Sequence, residues 1–142
     1  APQIRYPDCY GIDMAKMGDF IAFQAAIDLH KERGNEALID KVYNACIEEL
    51  KKPFAEQGNM VKPIYENLTP EETSDKISAL LTPANMKAEV RIIYQGIQGL
   101  HAAIPNHKGD WYFTGNFPTP GGNRVVNRAF VFWKEGRTDR AY

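Results

Sequence analysis

The chain has 142 residues, 44% of them apolar and 25% charged, with 17 basic against 18 acidic side chains and a net charge of −1. That is the length and composition of one globular domain, and the balanced charge excludes the basic footprint of a nucleic-acid or membrane-surface binder. No apolar run reaches the roughly 18 residues that span a bilayer; Cys9 and Cys46 form no disulfide framework, so a reducing, cytoplasmic setting is expected.

In chain order, residues 1–13 read as extended or irregular. Pro2 and Pro7 disfavour helix, and Gly11 suits a turn. Residues 16–33 turn helical, with Phe20, Phe23 and Ile27 at i, i+3 and i+7, and Ile21 and Leu29 widening the apolar face. Gly34 is placed to stop that helix and Asn35 to cap the next. The second helix has the cleanest period. Ile39, Val42, Tyr43, Cys46, Ile47 and Leu50 share one face, and Asp40, Lys41, Asn44, Glu48 and Lys51 the other, until Pro53 ends it. Residues 57–68 read as loop. Thr69-Pro70-Glu71-Glu72 combines an N-cap Thr, Pro at the first helical position and Glu three residues after the cap, predicting a helix to Leu81 that Pro83 closes.

Beyond residue 89 the character changes. Val90, Arg91, Ile92, Ile93 and Tyr94 are β-branched and aromatic enough for a short strand. Residues 98–104 suit a two-turn helix, Trp111, Tyr112 and Phe113 a second strand, residues 115–123 a turn, and residues 124–134 a third strand. The expected class is therefore α/β (an α+β piece): a helix-rich first two-thirds, then a small strand-helix-strand-strand unit.

Chemistry-bearing residues are sparse. His30, His101 and His107 show no i, i+4 zinc spacing, and neither cysteine belongs to a Cys-x-x-Cys pair, so ordinary surface or packing roles are expected and no metal site. Cys46, on an apolar stripe, reads as a packed thiol. Nothing in the sequence supplies a base for Cys9. The Thr119-to-Arg124 stretch TPGGNR has the glycines of an anion cradle but not the Walker order, and a turn is the simpler reading. Glu71, Glu72 and Asp75 fit a helix N-terminus. Trp111, Tyr112 and Phe113 fit a buried strand better than a base-stacking platform.

Two separated stretches resemble one family. PQIRYPDCYGIDM (residues 2–14), with Phe20-Ile21-Ala22 behind it, resembles the segment following the phosphoribosylpyrophosphate loop in glutamine phosphoribosylpyrophosphate amidotransferases, through Pro2-Gln3-Ile4, Pro7 and Tyr10-Gly11-Ile12-Asp13. Far downstream, VRIIYQGIQGLHAAI (residues 90–104) resembles that family's strand, capped turn and helix, and YFTGNFPT (residues 112–119) its Phe-Thr-Gly-x-Tyr-Pro-Thr end piece. The match covers residues 1–30 and 88–119, so residues 35–86 are expected to be an enlarged helical insertion.

The resemblance implies that residues 1–142 are the C-terminal portion of a purine-biosynthetic glycosyltransferase, beginning just after its phosphoribosyl-binding loop. The parent activity would release ammonia from glutamine with an N-terminal cysteine and add it to the sugar, displacing pyrophosphate. Neither that cysteine nor the Asp-Asp-Ser-Ile-Val-Arg-Gly-Thr-Thr loop that holds ribose and Mg occurs here, so no catalytic residue is expected in this chain and the isolated piece should be inert. Tyr10, Gly11, Ile12 and Asp13 would lie at the domain interface beside the ammonia channel. The implied partners are the glutaminase and phosphoribosyltransferase domains, in a homo-oligomeric parent, with apolar surface left exposed around residues 1–30. Some members hold a four-iron cluster through cysteines; the matching positions here are Asp8, Gly109 and Tyr112, so an iron-sulfur cluster is expected to be absent. The alternative is a free-standing helical module that docks a partner through residues 35–81, without catalysis.

Overall fold

The clearest local instruction in the sequence, Thr69 to Glu72, is obeyed in full. In the computed structural model, which describes residues 1–7 and 16–142, the Thr69 side chain accepts from the Glu72 N–H and the Glu72 carboxylate accepts from the Thr69 N–H. The helix they open runs Pro70–Leu81. In chain order the helices are α1 (Ile21–Glu32), α2 (Glu36–Glu49), α3 (Pro63–Glu66), α4 (Pro70–Leu81), α5 (Ile97–Ala103), α6 (Trp111–Thr114) and α7 (Pro120–Lys134). Short 3-10 turns lie at Met17–Asp19 and Phe54–Glu56.

Gly34 ends α1 as expected. Its φ of 66° is left-handed, and the Gly34 and Asn35 N–H groups close back on Lys31 and His30 carbonyls, satisfying acceptors that the helix end would orphan. Asn35 stands at the N-cap of α2 but makes no side-chain cap bond. Its amide turns instead towards His30 Nδ1 at 3.4 Å.

α1 sits at the centre. One side meets α4 and the other meets α2, while α7 closes over α2. The core follows from this arrangement: Phe23 packs edge-on against Phe130 and Trp133, with ring centroids 5.9 and 4.8 Å apart. The loop at residues 57–61 is held by side chains rather than by regular structure. Asn127 of α7, fully buried, accepts from the Met60 N–H at 3.0 Å and donates to the Gly58 carbonyl at 2.8 Å. From α2, Glu49 accepts from the Gly58 N–H at 2.9 Å.

The expected α/β class is wrong. Among the described residues there is no strand, and each of the three expected strands fails for its own reason. Residues 90–94 are extended but have no ladder partner. Ile92 and Tyr94 face a small cluster with Ala22, Ala25 and Ile77, while Ile93 between them is 79% exposed. The Ile92 N–H is taken by Ser78 Oγ of α4 at 2.9 Å, so the alternation is real and a helix side chain stands where a strand should be. Residues 111–113 form one helical turn, α6, with Asp110 before it and Gly115 at φ 73° after it.

The third correction is the largest. Residues 124–134, expected as a strand, lie in α7, a four-turn helix. Val126, Ala129, Phe130 and Trp133 recur at i, i+3, i+4 and i+7, so β-branched composition yields to helical period. Thr119-Pro120 repeats the Thr-Pro start of α4. Gly122 is therefore a packing residue within α7: a Cβ there would stand 2.2 Å from the Phe117 ring.

Candidate functional site

Two prolines keep the first residues out of helix, which frees their backbone groups for long-range partners. Residues 1–7 run extended against the last third of the chain. The Arg5 and Tyr6 N–H groups both donate to the Tyr112 carbonyl, at 2.8 and 3.2 Å, and the Gln95 N–H donates to the Ala1 carbonyl at 3.3 Å. Side chains lock this register. The buried Gln3 donates to the Pro70 carbonyl at 3.0 Å and to Ser74 Oγ at 2.8 Å, while its oxygen accepts from Arg5 Nη2 at 3.0 Å. Tyr65 Oη donates to the Arg5 carbonyl at 2.9 Å.

Tyr6 is the anchor of this junction. Its ring meets Tyr65 and Phe117 edge-on, with centroids 5.3 and 6.4 Å away. It fits because residue 115 is glycine: a Cβ there would lie 2.7 Å from Tyr6 Cζ and 2.6 Å from Asn59 Nδ2, and its φ of 73° suits only glycine well. Asn59 in turn donates to the Gly115 carbonyl at 3.0 Å. Burial drives the Tyr6 and Tyr65 hydroxyls far above the ordinary tyrosine range, so neither ionises near neutral pH; Tyr6 serves packing, and Tyr65 packing and a hydrogen bond. Beside the junction lies an open cleft of about 480 Å³ lined by Pro2, Gln3, Arg5, Ser74, Arg91 and Tyr94 among others.

The expected interface residues Tyr10, Gly11, Ile12 and Asp13 lie outside the described residues. The expected exposed apolar surface is not found at the described part of residues 1–30. Pro2, Tyr6, Met17, Phe20, Phe23 and Ile27 are buried, and only Ile4 among the large apolar side chains there is exposed. The other exposed large apolar side chains among the described residues are Phe54, Leu80, Leu81, Met86, Ile93, Ile104 and Tyr142.

Of the chemistry-bearing residues, Cys46 is a buried free thiol whose S–H faces Asn127 Oδ1 at 3.7 Å. Burial pushes it up to about 12, removing the thiolate a nucleophile needs. His30 is a satisfied core histidine, 1% exposed, with Nε2 donating to the Ile64 carbonyl at 2.7 Å. At the positions the resemblance assigns to an iron-sulfur cluster, Gly109 has no side chain and Tyr112 no thiol, while Asp8 lies outside the described residues. These residues do not fit that group.

The remaining two histidines are brought together. His101 of α5 and His107 of the following turn stack with centroids 4.4 Å apart, and both reach the same carboxylate oxygen, Asp110 Oδ2, at 2.9 and 3.8 Å. Among the described residues this is the one group of His, Cys, Asp and Glu side chains arranged so that three could hold a metal ion. A search for helical i, i+4 pairs passes over it, because its members come from a helix, a turn and a cap. The readable signal is His-x5-His-x2-Asp within ten residues.

No protein-family model matches this chain, and neither a curated protein nor a solved structure does. No helix among the described residues is long and apolar enough to cross a membrane.

Proposed function

We propose that this chain is the C-terminal part of an amidophosphoribosyltransferase, the glycosyltransferase that converts glutamine and phosphoribosylpyrophosphate to phosphoribosylamine, glutamate and pyrophosphate. The observation that carries the reading is the junction. The two stretches that resemble the family, far apart in the sequence, bond to each other through Arg5, Tyr6 and Tyr112 and pack through Tyr6, Gly115 and Phe117. Contact between the two stretches is what a single shared end piece requires, and it supports the reading.

In this reading the chain is scaffold. The glutaminase and phosphoribosyltransferase domains of the parent carry the Mg-dependent chemistry, in a cytoplasmic homo-oligomer, and Tyr10, Gly11, Ile12 and Asp13 shape the wall of the ammonia route. A wall of that kind has to exclude water more than it has to react. The alternative, a free-standing module docking a partner through residues 35–81, has less support, because the apolar stripes of α2 and α4 lie in the core: Ile39, Val42, Cys46 and Ile77 are all buried.

Genetic complementation tests the proposal. The uninterrupted gene containing this segment should restore purine-free growth to a bacterium lacking amidophosphoribosyltransferase, and the segment alone should not. Failure of the whole gene, in cells shown to express it, would refute the assignment.

A further inference from the structure

We infer that His101, His107 and Asp110 form a binding site for a Zn2+-class divalent cation, one that clips the turn between α5 and α6. Three features point to it. The donor set, two imidazoles and one carboxylate, is the set that suits zinc and its first-row neighbours. The donor atoms stand near the spacing an ion needs, and one of the two stacked rings has to turn for both lone pairs to meet it. Zinc bonds of about 2.0–2.2 Å at tetrahedral angles place neighbouring donor atoms about 3.3 Å apart. The two histidine nitrogens stand 2.9 and 3.8 Å from Asp110 Oδ2, values that bracket that spacing, and one donor atom from each residue lies within 4.8 Å of the others.

The third feature is the outer shell. His107 Nδ1 lies 3.1 Å from the Ile104 carbonyl. A carbonyl only accepts, so Nδ1 carries the proton and the Nε2 lone pair is left facing Asp110. On the other side, Thr114 Oγ1 stands 3.2 Å from both Asp110 Oδ1 and the Asp110 carbonyl, its one proton shared between them, and Oδ2 is turned to the two rings. Side-chain exposures of 39, 27 and 18% for His101, His107 and Asp110 leave the site reachable from solvent, so water would complete the coordination of an ion with three protein ligands. All three donors fall within ten residues of sequence, and little chain must be ordered to assemble them.

The test uses the untagged, chelator-stripped 142-residue chain and zinc chloride or cobalt chloride. Calorimetry should show saturable uptake of one zinc per chain, and cobalt should develop the visible absorption of a four- or five-coordinate ion. His101→Ala, His107→Ala and Asp110→Asn should each weaken binding at least tenfold while leaving the far-ultraviolet circular dichroism unchanged. A second readout requires no variant: in the proton NMR spectrum of the unaltered chain, zinc should shift the imidazole signals of His101 and His107 and leave those of His30 in place. No saturable uptake, binding unchanged in all three variants, or shifts confined to His30 would overturn the site.

Discussion

Gly115 and Gly136 form a natural pair for testing the junction. Both have left-handed backbones, φ 73° and 70°, so alanine at either position incurs the same conformational cost of about 1.5 kcal/mol. Their surroundings differ. A Cβ at Gly136 meets nothing within 4 Å, whereas at Gly115 it would lie 2.6 Å from Asn59 Nδ2 and 2.7 and 2.9 Å from two atoms of the Tyr6 ring. Carbon atoms in contact settle about 3.5–4.0 Å apart, so Tyr6 and Asn59 must move. Moving them weakens the Tyr6–Phe117 edge contact and the Asn59–Gly115 hydrogen bond, each worth about 1 kcal/mol. Gly136→Ala should therefore destabilise the chain by about 1.5 kcal/mol and Gly115→Ala by about 3.5 kcal/mol. With a urea slope of about 2 kcal/mol/M, the two unfolding midpoints should differ by about 1 M. Hydrogen exchange should accelerate at the Arg5 and Tyr6 amides in Gly115→Ala alone. Equal midpoint shifts, or unaltered exchange at those amides, would refute the claim that Gly115 admits Tyr6.

Asn127→Leu orphans the Met60 N–H and the Gly58 carbonyl, and urea unfolding should show a loss of about 3 kcal/mol; a loss under about 1 kcal/mol would mean that the 57–61 loop is held by other contacts. Thr69→Ala removes the cap of α4 and should cost about 1 kcal/mol in the same assay. The Glu72 carboxyl is held below its ordinary value of 4.5 by the Thr69 N–H first and the Arg33 guanidinium second. A depressed folded value means that its contribution is complete above the unfolded value and lost as pH falls through the folded one, so acidification below pH 4.5 should destabilise the unaltered chain more steeply than Glu72→Gln. Equal slopes would remove Glu72 from the explanation. In a Cys9→Ser background, the Cys46 thiol should react with a disulfide reagent only as fast as the chain unfolds; rapid labelling of the native protein would contradict its burial.

What could be read from the sequence was whatever local chemistry decides. The α4 capping box, the Gly34 stop and the period of α2 each rest on neighbours within four residues, and all three appear in the structure. The expected strands rested on composition, and composition does not fix a partner. Residues 90–94 have strand character without a strand beside them, because Ser78 of α4 takes the Ile92 amide. Residues 124–134 carried two conflicting signals, β-branched content and a helical repeat. The repeat prevailed because a helix there lays Val126, Phe130 and Trp133 along one face towards α1 and α2, burying the first two completely. The junction was half legible: the two resembling stretches were visible, but that Gly115 admits Tyr6 is a fact of three dimensions. The His101–His107–Asp110 group carries no helical metal spacing in the sequence, because its donors converge through a turn.

Glutamine-dependent release of pyrophosphate from phosphoribosylpyrophosphate is the decisive assay, run in parallel on the purified 142-residue chain and on the uninterrupted product of its gene. The expected result is no turnover by the former and phosphoribosylamine formation by the latter. Turnover by the 142 residues alone, or none by the folded whole protein, would contradict the assignment.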